Sequence, residues 1–216
     1  MRAYLSSFRL GNQPRRLVAL VRDRNRAAVV VNACDLLSDE ERRTRVHQEV
    51  AALEDLGFST TELDLRNYFA SRDRERELGV LLAAHGLVWV RGGNSFVLRR
   101  AMKASGFDRV IRDLLADDAI VYGGFSAAIA VLTPSLHGVE LVDDPHLVPA
   151  GYDPAIVWEG LGLLPYAVAP HYRSEHPESP AMESVVQYYV DHRLPFRVLR
   201  DGEAIVVQGG REEIVA

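Results

Sequence analysis

The chain has 216 residues, 48% of them hydrophobic and 25% charged, with a formal net charge of −5. A chain of this length can bury a full core, and we expect residues 1–216 to form one globular domain. The acidic balance argues against a nucleic-acid binder, which needs clustered Lys and Arg. The apolar runs are far shorter than the roughly 18 residues that cross a bilayer, so no membrane partner is predicted.

Two features of the sequence bear on location. Residues 1–7 lack the apolar stretch of a signal peptide, and the single cysteine, Cys34, cannot form an internal disulfide. Together they predict a cytoplasmic protein, since disulfides accompany oxidising compartments. We interpret Cys34 as a small core residue.

Apolar strands alternate with amphipathic helices along most of the chain. The predicted elements, in order, are a strand over 26–32, a helix after Ser38, a strand over 58–63, a helix carrying Leu78, Leu81 and Leu82, a strand over 86–91, a helix over 95–104, a strand over 119–122, a strand over 166–169, a helix over 180–192 and a closing meander of 196–200, 204–208 and 211–215. Ser38 and Glu41 have the spacing of a capping box. The repeated strand–helix units predict a three-layer αβα fold, flavodoxin-like, with a mostly parallel sheet.

The segment 121–132 places a lone serine, Ser126, between an apolar strand and an apolar helix. At such a turn the serine Oγ is exposed, and the amide of the next residue, Ala127, is free to donate to an oxyanion. Gly124 and Ala128 are small enough to permit the turn. The Gly-x-Ser-Ala pattern is short, however, and is equally compatible with a serine that only caps the helix.

Two other loops are expected at the same edge, because ligands bind where the carboxyl ends of parallel strands meet. Gly92, Gly93 and Asn94 follow one strand, and paired glycines either let backbone amides approach a ligand or form a simple tight turn. His171 follows another strand. An imidazole is the usual base that activates a serine hydroxyl, so we predict that His171 and Ser126 act together.

Two acids are candidates for the third group, which would hold the imidazole. Asp143 lies between Ser126 and His171 in the sequence, and Asp201 lies beyond both. Asp201 precedes a glycine, which is also typical of a two-residue hairpin turn. Asp143 precedes Asp144 and Pro145, which is also typical of a solvated loop. The residues alone leave both open.

Taken in order, the motifs are Gly-Gly-Asn at 92–94, Gly-Phe-Ser-Ala at 124–127, Gly-Leu-Leu-Pro at 162–165 and Pro-His-Tyr at 170–172. This ordered set resembles the peptidase E and cyanophycinase family of serine peptidases, whose fold is similar to class I glutamine amidotransferase domains. The resemblance extends from roughly residue 27 to residue 214. It implies a Ser-His-acid hydrolase of small peptides.

The resemblance also implies roles for single residues. Ser126 matches the family's nucleophile and His171 its histidine. The loop of Gly92, Gly93 and Asn94 matches the one that contributes to the oxyanion hole and to substrate binding. Asp201 matches a carboxylate in a late glycine-containing turn, and Asp143, beside Asp144 and Pro145, is the alternative match to another acid of the family. Asp201 is slightly preferred over Asp143 as the orienting acid.

The chain departs from the family pattern in two places. It has Ala128 where the family usually has glycine after Ser-Ala. Aspartyl dipeptidases of this family bind the substrate's N-terminal Asp with basic and polar side chains after the histidine, which makes Arg173 the candidate here. The acids Glu175 and Glu178 in the same stretch would repel an acidic side chain, so Asp-X specificity does not follow from the resemblance.

Metal and cofactor sites are disfavoured. His171, Glu175 and His176 are one residue too widely spaced for the inverted zincin motif, and the prolines at 170 and 177 prevent one helix from presenting both histidines. The loop at 92–94 lacks the Gly-x-Gly-x-x-Gly spacing of a dinucleotide site. Class I amidotransferases use a cysteine where this chain has Ser126. We therefore predict neither a metal nor a cofactor.

The predicted function is a serine-type hydrolase, a dipeptidase or a related small-peptide amidase. Ser126 would attack the carbonyl carbon, His171 would transfer the proton, and the amides of Gly93 and Ala127 would stabilise the oxyanion. The predicted partner is a small peptide substrate, with a monomer or a homodimer as the assembly. The alternative is a non-catalytic member of the same family that binds a small ligand, in which Ser126 is inert.

Overall fold

The computed structural model describes residues 1–216, with nine strands and seven α-helices. The strands are Arg2–Ser6 (β1), Arg26–Val30 (β2), Ser59–Glu62 (β3), Leu87–Val90 (β4), Val121–Phe125 (β5), Ala167–Ala169 (β6), Phe196–Val198 (β7), Ala204–Gln208 (β8) and Arg211–Val215 (β9). The helices are Pro14–Val21 (α1), Asp39–Glu54 (α2), Arg72–Ala83 (α3), Ser95–Ser105 (α4), Phe107–Ala116 (α5), Ala127–Ala130 (α6) and Ser179–Asp191 (α7). No helix combines the length and the apolar composition that crossing a membrane requires.

Seven strands form one sheet in the order β3-β2-β4-β5-β1-β8-β9. The first five in this order are parallel, whereas β8 runs antiparallel to β1 and β9 antiparallel to β8. The predicted mostly parallel sheet is therefore confirmed. The two remaining strands, β6 and β7, pair in parallel as a separate small sheet.

Alternate side chains of the large sheet enter two separate hydrophobic cores. In β1, Ala3 and Leu5 face a core of 33 buried residues shared with α3, α4 and α5, and Tyr4 faces one of 17 shared with α1 and α2. This alternation follows from the two-residue period of a strand. Because helices cover both faces, the predicted three-layer αβα arrangement is confirmed.

Helix α2 begins as its sequence predicts. The Ser38 hydroxyl accepts a hydrogen bond from the Glu41 amide, and the Glu41 carboxylate accepts one from the Ser38 amide. This reciprocal pair satisfies two backbone donors that a helix start leaves free.

Two parts of the sequence interpretation were wrong or incomplete. No strand was predicted at the N-terminus, yet β1 lies between β5 and β8 inside the large sheet. The segment 196–200 was predicted to start a meander, but β7 pairs with β6 and only β8 and β9 form a hairpin. The turn at Asp201 thus connects two different sheets and is not a hairpin turn.

Close contact between β4, β5 and α6 shapes the turn after β5. A Cβ atom on Gly124 would lie 2.4 Å from the Val90 carbonyl oxygen and 2.7 Å from the Ala128 Cβ. The Tyr122 hydroxyl donates to the Ala128 carbonyl at 2.8 Å, which fixes α6 over the strand. The methyl group of Ala128 is accommodated because Gly124 has none.

Replacing Gly124→Ala should therefore lower the free energy of unfolding by about 1 to 3 kcal/mol, the usual effect of overpacking. Gly79→Ala in α3 is the matched control, because its new Cβ would find no atom nearer than 3.8 Å. Alanine is the better helix former by about 1 kcal/mol, so the control should gain stability. Urea denaturation measures both variants. Equal stability of wild type and Gly124→Ala would contradict the packing described here.

Candidate active site

Ser126 lies at the sharp turn between β5 and α6. Its backbone angles are φ 54° and ψ −115°, a conformation that non-glycine residues rarely adopt and that costs about 1 to 3 kcal/mol. Its side chain makes no capping hydrogen bond to the helix, so the interpretation of Ser126 as a simple helix cap was wrong. The predicted strand–turn–helix setting is what the structure contains.

His171 and Asp201 come from the small sheet. Ala169 at the end of β6 pairs with Val198 at the end of β7, so the residues that follow both strands emerge at one edge. His171 has a φ of 58°, and only 1% of its surface is exposed. Its Nδ1 lies 2.7 Å from Oδ1 of Asp201.

The surroundings of His171 favour a neutral ring. Burial lowers the pKa of its imidazole below the ordinary value, and the hydrogen bond and charge of Asp201 oppose this only in part. With the Nδ1 proton directed at the carboxylate, Nε2 is the nitrogen left without a proton. His171 and Ser126 line the same cleft, of about 380 Å³, although no hydrogen bond joins them.

Ser7 is part of this site and was missed by the sequence analysis. Ser6 pairs with Phe125, so Ser7 leaves the large sheet beside Ser126. The Ser7 hydroxyl donates to Oδ1 of Asp201 at 2.8 Å and accepts from the His171 amide at 2.8 Å. Ser7 thus joins the large sheet to both residues of the pair. No motif marks it, because its partners lie more than 160 residues away.

The other candidate acid, Asp143, is engaged elsewhere. Its Oδ2 accepts a hydrogen bond from the Ser95 amide at the start of α4, at 2.8 Å. Burial raises the pKa of Asp143 to about 6, and the charge of Glu178 contributes to the increase. Asp143 lines a narrow cavity beside Ser126, but its hydrogen bonds do not include the His171 ring.

The glycine loop packs against the serine turn. A Cβ on Gly92 would lie 2.9 Å from the Ser126 Cβ. Gly93 has a φ of 151°, and a Cβ there would lie 2.6 Å from the Ala33 carbonyl oxygen. The amides of Gly93 and Ala127 have no acceptor within the protein, so both can donate to a bound group. Asn94 caps α4, since its Oδ1 accepts from the amides of Phe96 and Val97.

Arg173, the predicted substrate-binding residue, does not line this cleft. Its Nε donates to Oε1 of Glu183 at 2.8 Å, and its guanidinium lies over the Tyr172 ring. Three other arginines line the cleft, and they come from three separate loops and helices: Arg9, Arg45 and Arg91. No local pattern connects these three positions in the sequence.

The turn after His171 folds back over it. The rings of His171 and His176 stack with their centroids 3.7 Å apart, and Oε2 of Glu178 lies 4.0 Å from Nε2 of His171. Glu175, which the sequence analysis grouped with these histidines, is exposed and does not line the cleft. A turn, and not one shared helix, brings the two imidazoles together.

A strained serine after a central strand, with a His–Asp pair whose histidine lines the same cleft, is typical of a serine hydrolase on a three-layer α/β fold. The sequence model of a protein family, described as peptidase family S51, matches residues 23–215 of this chain. The chain therefore belongs to peptidase family S51, a family of serine peptidases. The resemblance predicted from the motifs is confirmed.

Relatives carry matching descriptions. A Drosophila melanogaster protein described as "Probable alpha-aspartyl dipeptidase" is 31% identical over 178 residues, which cover 80% of this chain and 66% of the fly protein. A peptidase E of Streptomyces coelicolor is 30% identical over 129 residues, covering 57% of this chain and 49% of that protein. The chain thus spans about two thirds of the first relative and about half of the second.

A crystal structure supports the fold assignment. It is described as that of a peptidase E protein from Listeria monocytogenes EGD-e, and it superposes with a TM-score of 0.76 at 20% identity. The match covers 99% of this chain and 97% of the Listeria chain. A likeness at this level of identity concerns the architecture only.

The raised pKa of Asp143 predicts a pH-dependent stability. Its contribution is fully present below the unfolded value near 3.8 and is lost as the pH rises through about 6. Asp143→Asn, which removes the charge, should therefore gain about 1 to 3 kcal/mol relative to wild type between pH 4 and pH 8. Denaturation at both pH values measures this gain, with the exposed neighbour Asp144→Asn as control. If Asp143→Asn and wild type differ by the same free energy of unfolding at pH 4 and at pH 8, the raised pKa of Asp143 is contradicted.

Proposed function

We propose that residues 1–216 form one hydrolytic domain that cleaves small peptides, with Ser126 as nucleophile, His171 as general base and Asp201 as the orienting acid. The observation that carries the proposal is the 2.7 Å contact between Nδ1 of His171 and Oδ1 of Asp201, at a cleft that Ser126 also lines. Family membership supports the chemistry, and the contact supports the choice of acid.

The roles follow from the geometry of the pair. Asp201 holds the Nδ1 proton of His171 and leaves Nε2 free to take the proton of the Ser126 hydroxyl as Oγ attacks the carbonyl carbon. The imidazolium then protonates the leaving amine, and water hydrolyses the acyl-enzyme by the same route. The hydrogen bond from Oγ to Nε2 must form when substrate binds, because catalytic hydrogen bonds often tighten only in the complex.

The oxyanion would be stabilised by the amides of Gly93 and Ala127. One lies in the glycine loop and the other at the first residue of α6, and both are without an acceptor in the protein. Preorganised donors of this kind each contribute about 3 kcal/mol to transition-state stabilisation. The conformation of Gly93 and its contact with Ala33 hold the first donor in place.

We further propose that the substrate carries an acidic side chain. Arg9 and Arg45 line the cleft, and neither forms an ion pair within the protein, whereas Arg91 is held by Glu49 at 3.1 Å. Guanidinium groups that form no ion pair within the protein are suited to bind a carboxylate of the substrate bidentately. The description of the fly relative as an alpha-aspartyl dipeptidase is in line with this choice.

Several finer expectations stay predictions: an architecture like that of class I glutamine amidotransferases, a cytoplasmic location, and a monomeric or homodimeric assembly. The alternative of a non-catalytic ligand-binding protein keeps the cleft and makes Ser126 irrelevant to it. Measuring peptide hydrolysis distinguishes this alternative from the hydrolase, because a non-catalytic protein would show none.

The triad proposal predicts a definite order of effects on dipeptide hydrolysis. Ser126→Ala should lower kcat by several orders of magnitude, and Asp201→Asn by about a thousandfold or more, because the amide favours the wrong tautomer of His171. Asp143→Asn, the matched control, should change kcat less than tenfold. Unchanged turnover in Ser126→Ala would contradict the hydrolase proposal. A severe loss of turnover in Asp143→Asn but not in Asp201→Asn would assign the orienting role to Asp143.

The specificity proposal is tested with Asp-Leu and Ala-Leu dipeptides. Arg9→Ala and Arg45→Ala should each lower kcat/KM for the acidic dipeptide at least tenfold relative to the neutral one, because each removes a guanidinium that would pair with the substrate's side-chain carboxylate. Arg173→Ala is the control, since Arg173 pairs with Glu183 outside the cleft. If Arg173→Ala alone alters the ratio, the acidic side chain binds after the histidine instead.

A further inference from the structure

Two side chains beside the proposed base have no part in the hydrolytic mechanism. His176 and Glu178 lie in the turn between β6 and α7, and both line the cleft with His171. Phe8 packs edge-on against the His171 and His176 rings, with centroid distances of 5.8 and 5.2 Å. His171, His176 and Glu178 thus form a compact group, and the Phe8 ring packs against one side of it.

Their donor atoms are close enough to share one cation. The three possible ligand atoms, one each from His171, His176 and Glu178, all lie within 4.8 Å of one another. Around a tetrahedral zinc ion with bonds of about 2.0 to 2.1 Å, ligand atoms are about 3.4 Å apart. Oε2 of Glu178 is 4.0 Å from Nε2 of His171, so bringing these atoms onto one ion needs a shift of less than about 1 Å.

The surrounding hydrogen bonds orient His171 for such a role. Asp201 binds Nδ1 of the ring at 2.7 Å, which leaves Nε2 as the open nitrogen. A carboxylate on the far nitrogen is the usual support of a metal-bound histidine, and it fixes the ring and makes it a stronger ligand.

His176 has to move, and its position allows this. The amide of Glu178 donates to its Nδ1 at 3.2 Å, a long hydrogen bond that the ring gives up when Nε2 binds a cation. The ring must also tilt out of its stack with His171, because a ligand nitrogen points within the plane of its own ring. His176 is only partly buried, so the tilt displaces no core residue.

We propose that His171, His176 and Glu178 form a binding site for a divalent transition-metal cation, with Zn²⁺ as the preferred ion, and that the bound ion inhibits the peptidase. Two imidazoles and one carboxylate favour Zn²⁺ over Mg²⁺ and Ca²⁺, which prefer oxygen ligands. Inhibition follows because the ion occupies Nε2 of His171, the atom that must accept the Ser126 proton. Only this inhibition rests on the proposed function; the binding itself does not.

Binding is tested without turnover in the Ser126→Ala protein. After dialysis against a chelator, Co²⁺ is added as a spectroscopic probe and Zn²⁺ is titrated by calorimetry. We expect one equivalent of each ion, with the visible absorption of tetrahedral Co²⁺, and at least a tenfold weaker affinity after a second change, His176→Ala or Glu178→Gln. His137→Ala is the control, because His137 stacks on Trp158 and does not line the cleft.

Inhibition is tested in the protein with Ser126 intact. Each variant is compared with its own rate in chelated buffer, so a change in basal activity does not affect the comparison. Zn²⁺ should inhibit wild type and His137→Ala equally, EDTA should reverse the effect, and His176→Ala and Glu178→Gln should each need at least tenfold more Zn²⁺. Mg²⁺ at the same concentrations should have no effect.

The outcomes separate this proposal from the hydrolase proposal. Unchanged affinity in a folded His176→Ala or Glu178→Gln protein would overturn the site, as would stimulation of turnover by Zn²⁺. If Ser126→Ala retains turnover, the proposed function fails while the binding result stands by itself. Thermal unfolding of the metal-free proteins shows whether each substitution preserves the fold, and either variant alone is sufficient for the test.

Discussion

The contact between Nδ1 of His171 and Oδ1 of Asp201 joins the two sheets of the molecule. Both residues follow strands of the small sheet, and Ser7, which follows β1 of the large sheet, donates to the same carboxylate oxygen and accepts from the His171 amide. Burial disfavours a charged imidazole, so this carboxylate is the group that must stabilise an imidazolium when one forms. Relative movement of the sheets would therefore disturb the proposed base and its orientation together.

The sequence predicts well what depends on local pattern. Alternating strands and helices predicted the parallel sheet, and small residues around Ser126 predicted its turn, because both follow from neighbouring residues. Strand β1 was missed because its polar end residues hide its character: Arg2 is buried only through hydrogen bonds to Asp118 and to the Leu20 carbonyl. The pairing of β7 with β6 was missed as well. Helix α7 separates these two strands in the sequence, whereas β8 follows β7 directly, so neighbouring residues did not indicate the pairing.

Neighbouring residues do not decide between the two candidate acids. Asp143 and Asp201 both occupy polar turns, and what separates them is a partner distant in sequence: the Ser95 amide for one and the His171 ring for the other. Arg9 and Arg45 could not be predicted as a pair from the sequence either, because they line one cleft but belong to no common motif. Groups that converge only through tertiary structure leave no periodic signal in the chain.

Backbone strain at one edge of the fold links the hydrolytic site to the turn beyond it. Ser126 and His171 have φ values of 54° and 58°, and Arg173 has 51°, each costing about 1 to 3 kcal/mol that the packed sheets must offset. At Ser126 the strain exposes the hydroxyl. At His171 and Arg173 it reverses the chain, and the reversal places His176 and Glu178 against the imidazole. The backbone that buries the proposed base thus also places two possible metal ligands near its Nε2, so both proposals depend on access to this nitrogen.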